Sequence, residues 1–121
     1  MNHKEWIKNQ FTGKMMKVNY RNALIHFSLI ESFLRNKAQK RTFDLANKTL
    51  LCCGLTTSEE FCIFEKIRLL RNEIIHKLFL ESLGEKDINK KVNNLMKDIL
   101  FAYKKSEFLK KNLIEKYEIK L

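Results

Sequence analysis

Residues 57–79 read TSEEFCIFEKIRLLRNEIIHKLF. Within them Phe61, Phe64, Ile67, Leu70, Ile74 and Leu78 recur every three or four positions, the repeat of one face of an α-helix. Thr57-Ser58-Glu59-Glu60 opens the run as a capping box, in which a threonine and a glutamate three residues apart satisfy each other's orphan amides. A long helix is predicted to start there and to run to Gly84. The chain has no proline and only three glycines (Gly13, Gly54 and Gly84), so it has few places to turn. That favours a handful of long helices over a sheet.

Working outward, Met16, Tyr20, Ala23, Leu24, Phe27, Ile30, Leu34 and Ala38 mark a second helix face, predicted from about Lys14 to about Arg41. A shorter segment from Phe43 to Cys53 is closed by Gly54 in a C-terminal cap position. Downstream, a helix opening near Asp87 carries Ile88, Val92, Leu95, Ile99, Ala102 and Tyr103. Phe108 to Tyr117 either continues it or follows a break near Ser106. A weak amphipathic pattern (Trp6, Ile7, Phe11) precedes Gly13. The 45% hydrophobic content is enough for a real core, and no low-complexity linker interrupts the chain. Residues 1–121 are therefore expected to form a single all-α domain, a bundle of about four to five helices.

No window approaches 18 uninterrupted apolar residues, and Met1 to Trp6 lack the apolar core of a secretory signal, so a cytoplasmic location is expected. Cys52, Cys53 and Cys62 form no metal-ligand spacing and are expected to be buried, reduced thiols. No metal site and no cofactor is expected. The net charge of +10 is uneven. Residues 1–41 carry nine basic groups against two acids, 42–85 five against seven, and 86–121 ten against five. Basic terminal thirds attract polyanions, RNA among them, although a solvated lysine face explains the same numbers.

The chemistry concentrates at Leu70-Arg71-Asn72-Glu73-Ile74-Ile75-His76. Asn72 and His76 lie four apart and share a helix face. Arg71 is about 100° round from Asn72 and falls on the side of Ile67, Ile74 and Leu78. An arginine in an apolar stripe is costly unless it is paired or faces an interface, which places this cluster at a groove or a subunit contact. An imidazole gives and takes protons near neutral pH, and a guanidinium holds a phosphate or its developing charge. Together they suit cleavage of RNA in which the 2′-hydroxyl attacks its own phosphate. The spacing alone is better matched by a surface or core histidine with an unrelated arginine.

The stretch IRLLRNEIIHKLF resembles the signature of the HEPN superfamily, small helical bundles that carry an Arg, four to six residues of which the first is often Asn, and a His. Arg71, Asn72 and His76 fill it with a four-residue gap. The same family often has a Glu-x-x-x-Arg pair in an early helix, and LIESFLR supplies Glu31 and Arg35. The resemblance spans roughly residues 15–103. It implies a metal-independent endoribonuclease of a toxin or antiviral-defence type, acting as a homodimer whose Arg and His residues meet across a two-fold axis. In that picture His76 is the acid/base, Arg71 engages the scissile phosphate and Asn72 positions one of them. Glu31 and Arg35 support, pairing with Arg71 or with RNA. A cognate antitoxin or a defence-complex protein is the implied further partner. Arg68 and Lys77 on the same helix are candidate RNA contacts.

Two features qualify the carry-over. One toxin branch extends the signature to His-x-Tyr, the tyrosine being a target for adenylylation, and Leu78 stands in that place here. Arg21, Asn22 and His26 repeat the signature's spacing fifty residues earlier. Coincidence on a long helix explains that pattern, or Arg21 and His26 add cationic groups to the same groove. Trp6 and Phe11 either stack on bases or close one end of the bundle. The alternative to the nuclease is a non-catalytic module of the same fold that binds RNA, nucleotide or a protein partner.

Overall fold

The capping box is formed as its sequence demands. In a computed structural model, which describes residues 20–80 and 85–114, the Thr57 N–H donates to Glu60 Oε1 at 3.0 Å and the Glu60 N–H to Thr57 Oγ1 at 3.1 Å. The described residues form an all-α bundle: α1 (Tyr20–Ala38), α2 (Phe43–Cys52), α3 (Ser58–Leu80), α4 (Glu85–Lys105) and a single turn α5 (Glu107–Leu109), which runs into a π-helical turn, Lys110–Ile114. No strand occurs among them. His3, Trp6, Phe11, Gly13, Lys14, Gly84 and Tyr117, invoked in the sequence reading, lie outside the described residues.

The periodic positions become the core. Ala23, Phe27, Ile30 and Leu34 of α1, Phe64, Ile67 and Ile74 of α3, and Val92, Leu95, Ile99, Ala102 and Tyr103 of α4 are buried in one contiguous cluster. α1 packs on α2 and α4, and α3 packs on α2 and α4. Phe43, the first residue of α2, stacks on Phe27 with ring centroids 5.3 Å apart. The buried Asn47 of α2 donates to the Phe61 carbonyl of α3 at 3.1 Å. No helix among the described residues is long and apolar enough to cross a membrane.

α1 stops three residues short of the predicted Arg41. Gln39 takes a left-handed conformation (φ 55°), and the Lys40 N–H turns back to the Arg35 carbonyl at 3.1 Å. This is a helix stop of the kind glycine usually makes, so nothing in the sequence announces it. Thr42 then caps α2, its hydroxyl accepting from the Leu45 N–H. The consequence is that Arg41 lies in a turn and not on a helix. Gly54 ends α2 as expected, at φ 75°.

Ser106 resolves the choice at the C-terminal end in favour of a break. It stops α4, caps α5 by accepting from the Leu109 N–H, and donates to Glu60 Oε2 at 2.5 Å. The Phe108 N–H reaches the same oxygen at 3.1 Å. Glu60 therefore serves two helix starts, α3 and α5, while only 7% exposed. The cysteines depart from the expectation. All three are free, but Cys52, Cys53 and Cys62 are exposed, because they fall on the outward faces of α2 and α3 and at the open turn before Gly54.

Burial raises the Glu60 pKa, and the hydrogen bonds from Ser106, Thr57 and Phe108 outweigh it, so the carboxyl titrates below its ordinary 4.5. The hydrogen bond from Arg68 likewise lowers Glu65, and that from Lys91 lowers Glu73. A depressed carboxyl contributes stability that is complete above its unfolded value and is lost as pH falls through the folded one. Urea unfolding is therefore expected to show constant stabilisation from these groups above about 4.5 and a steady loss below it. Glu60→Ala, which orphans three donors, is expected to cost about 3 kcal/mol in the same assay at neutral pH. Gln39→Gly, which relieves a left-handed non-glycine residue, is expected to gain about 1 kcal/mol.

Candidate anion groove and the Arg71–His76 segment

Arg71 occupies a core-facing position of α3, four residues after Ile67 and three before Ile74, both buried. Its stem follows the apolar stripe, and its guanidinium lies over the Phe27 ring of α1, 4.4 Å from the centroid. A cation stacked on an aromatic face recovers part of the hydration it gives up. One turn further along α1, Glu31 Oε2 stands 3.6 Å from Arg71 Nη2. That is ion-pair distance but longer than a good hydrogen bond. The Arg71 Nε atom is buried without any hydrogen-bond partner.

These residues border an open groove of about 270 Å³ between α1, the start of α2 and α3. Arg41, Arg68 and Arg71 bring three guanidinium groups to its walls, and Glu31 and Asp44 bring two carboxylates. Thr42, Phe43 and Asn72 complete the lining. The three arginines are not equivalent. Arg68 is held by Glu65 through two bonds of 2.9 Å, which raises its pKa, and lies 3.8 Å from Asp44. Arg41 is exposed and has no ion pair among the described residues. Arg71 is fixed by its stack and only loosely paired. Donor capacity toward a ligand thus resides in Arg41 and Arg71.

The groove gathers Arg71, Asn72, Glu31 and Arg68 of the residues singled out from sequence. His76, one turn beyond Asn72, is exposed and lies outside the groove lining. Within one chain, then, Arg71 and His76 do not converge on a single cavity. Arg35 is half-buried on α1, one turn from Glu31, and its Nε is buried without a hydrogen-bond partner. Lys77 pairs with Glu73, 3.7 Å away, and Lys91 of α4 reaches the same carboxylate at 2.6 Å. Both contacts tie up charge at the α3–α4 seam.

The earlier Arg21, Asn22 and His26 pattern does not add to this surface as a unit. His26 is fully buried, edge-on to Tyr103 of α4 with ring centroids 6.2 Å apart. The candidate RNA contact at His26 is corrected accordingly: its helix position faces the core beside Phe27, so no solvent reaches the ring. Asn22 is buried as well, and Arg21 is exposed. Arg41, Thr42 and Asp44 are groove residues that the sequence reading missed. Their signal was hidden because Arg41 was assigned to the end of a helix.

No protein-family model, no curated protein sequence and no solved structure matches this chain. Among the described residues, no three His, Cys, Asp or Glu side chains cluster as a metal ion would need.

Because Glu31 and Arg71 each keep about a quarter of their side-chain surface exposed, their pairing is expected to contribute little to folding. A thermal and urea double-mutant cycle with Glu31→Gln and Arg71→Met is expected to give a coupling of about 1 kcal/mol or less. A larger coupling would make Arg71 a structural residue first.

Proposed function

We propose that the chain is a metal-independent endoribonuclease of a toxin or antiviral-defence type, with Arg71 and His76 as its catalytic pair. The observation that carries this reading is the state of Arg71. A guanidinium at a core-facing helix position is kept half-open at a groove, with a buried N–H lacking any acceptor. Its nearest carboxylate, Glu31, stands 3.6 Å from Nη2, so the group is open to a better-placed anion at the groove. The resemblance of residues 67–79 to the HEPN signature, and of Glu31 and Arg35 to its supporting pair, then points to RNA as that anion.

In the proposed reaction the 2′-oxygen attacks the adjacent phosphorus, its proton passing to a neutral imidazole. The bond to the 5′-oxygen breaks, and a protonated imidazole donates to that leaving oxygen. The products are a 2′,3′-cyclic phosphate and a 5′-hydroxyl. Arg71 stabilises the extra charge on the phosphoryl oxygens in the transition state. Base and acid are two different protonation states, which two His76 side chains supply together. A homodimer that apposes two copies of the Asn72–His76 face meets that need and brings His76 to the Arg71 of its partner.

A second reading rests on one observation. His76 stands outside the groove within a single chain, so the groove can bind a polyanion without cutting it. On that reading the domain is a non-catalytic module for RNA, nucleotide or a protein partner.

Incubation of a mixed RNA pool in EDTA with wild type, His76→Ala and Arg71→Ala separates the two. Cleavage by wild type, reduced about 100-fold or more in each variant, with 2′,3′-cyclic termini in the products, is the expected outcome. Wild type that binds the pool and leaves it intact as a dimer supports the module instead.

A further inference from the structure

Resting on the RNA reading, we propose that the groove is a phosphoryl-binding subsite gripped by Arg41 and Arg71, with Glu31 as a built-in competitor that gives up Arg71 when a phosphate enters. Arg71 is held for this role over the Phe27 ring, its guanidinium carbon 4.4 Å from the centroid. Its present partner serves it poorly. Glu31 stands 3.6 Å away and leaves Nε without an acceptor. Arg41 lines the same groove, without an ion pair among the described residues, on a turn whose backbone is set by the left-handed Gln39 and the Thr42 cap. Arg68 adds positive field but has its donors committed to Glu65.

The chemistry favours a phosphoryl group over another carboxylate. Glu31 and Asp44 already line the groove, and neither bridges Arg41 to Arg71. A carboxylate has two oxygens in one plane and matches one guanidinium fork. A phosphoryl group spreads its oxygens over a tetrahedron and accepts from two forks that approach from different sides. Such a group is an internal phosphodiester of an RNA chain or a terminal phosphate. Arg41 is the residue this assigns beyond the Arg71–His76 segment.

The test is titration of the full chain, followed through arginine Nε–H resonances. One probe is a 2′-O-methyl tetranucleotide without terminal phosphates, which cannot be cleaved, and the other is inorganic phosphate. The Arg71 Nε–H signal is expected to shift on binding. Arg41→Ala is expected to weaken affinity about tenfold, the worth of one charge-assisted hydrogen bond. Glu31→Gln is expected to strengthen it about threefold, and Lys105→Ala, which removes an equal charge away from the groove, to change it less than about twofold. Response to the tetranucleotide supports the subsite and identifies an internal diester, whereas response to inorganic phosphate alone supports it and identifies a terminal phosphate. An unmoved Arg71 signal with both probes, or an Arg41→Ala effect no larger than that of Lys105→Ala, overturns it. Neither probe is a substrate, so failure here leaves the cleavage result standing, and an inactive enzyme that binds both probes fails the nuclease reading alone.

Discussion

A buried carboxylate ties the start of α3 to the junction of α4 and α5. Glu60 accepts from the Thr57 amide at the start of α3 and from Ser106 and the Phe108 amide where α4 gives way to α5. A charge so placed is tolerable only because its oxygens are met by donors that themselves need partners. Helix starts leave amides unsatisfied, and a chain with no proline and three glycines must close them with side chains. Thr42, Thr57 with Glu60, and Ser106 do so at α2, α3 and α5. The positions of these caps set where each helix begins, and through that which residues face one another across α1 and α3.

Arg71 is the counterpart of Glu60 about three turns further along α3. Both are charged groups on the core-facing side of the same helix, resolved in opposite ways. Glu60 is saturated by hydrogen bonds and closes structure. Arg71 lies over Phe27, is only loosely paired to Glu31, and lines a groove. A polar network that is complete contributes stability, whereas one left incomplete next to solvent is a site for something to complete it. The proposed function and the phosphoryl subsite both rest on that asymmetry.

Much of the helical class was legible in the residues. The stripes at 23, 27, 30 and 34 and at 92, 95, 99 and 102 are buried because a 3.6-residue period leaves no other side to hide. The capping box at Thr57 and Glu60 and the glycine stop at Gly54 were legible because each is local chemistry. The end of α1 was not, since a glutamine in the left-handed region has no signature, and the error displaced Arg41 from the groove it lines. The cysteines were misjudged for a related reason. Residue type favours burial, but exposure follows from which helix face a position takes.

By itself the sequence determined that this is a helical chain and that Arg71, Asn72 and His76 lie within one turn and a half of the same helix, because periodicity and caps act over a few residues. Tertiary packing alone decided that Arg71 meets Phe27 and Glu31 from a different helix, that Arg41 lines the same groove, and that His26 is buried while His76 is exposed. Those outcomes depend on where α1 stops and how it is rotated against α3 and α4. Rotation is set by the fit of whole side-chain layers in three dimensions, which no local pattern in one helix encodes.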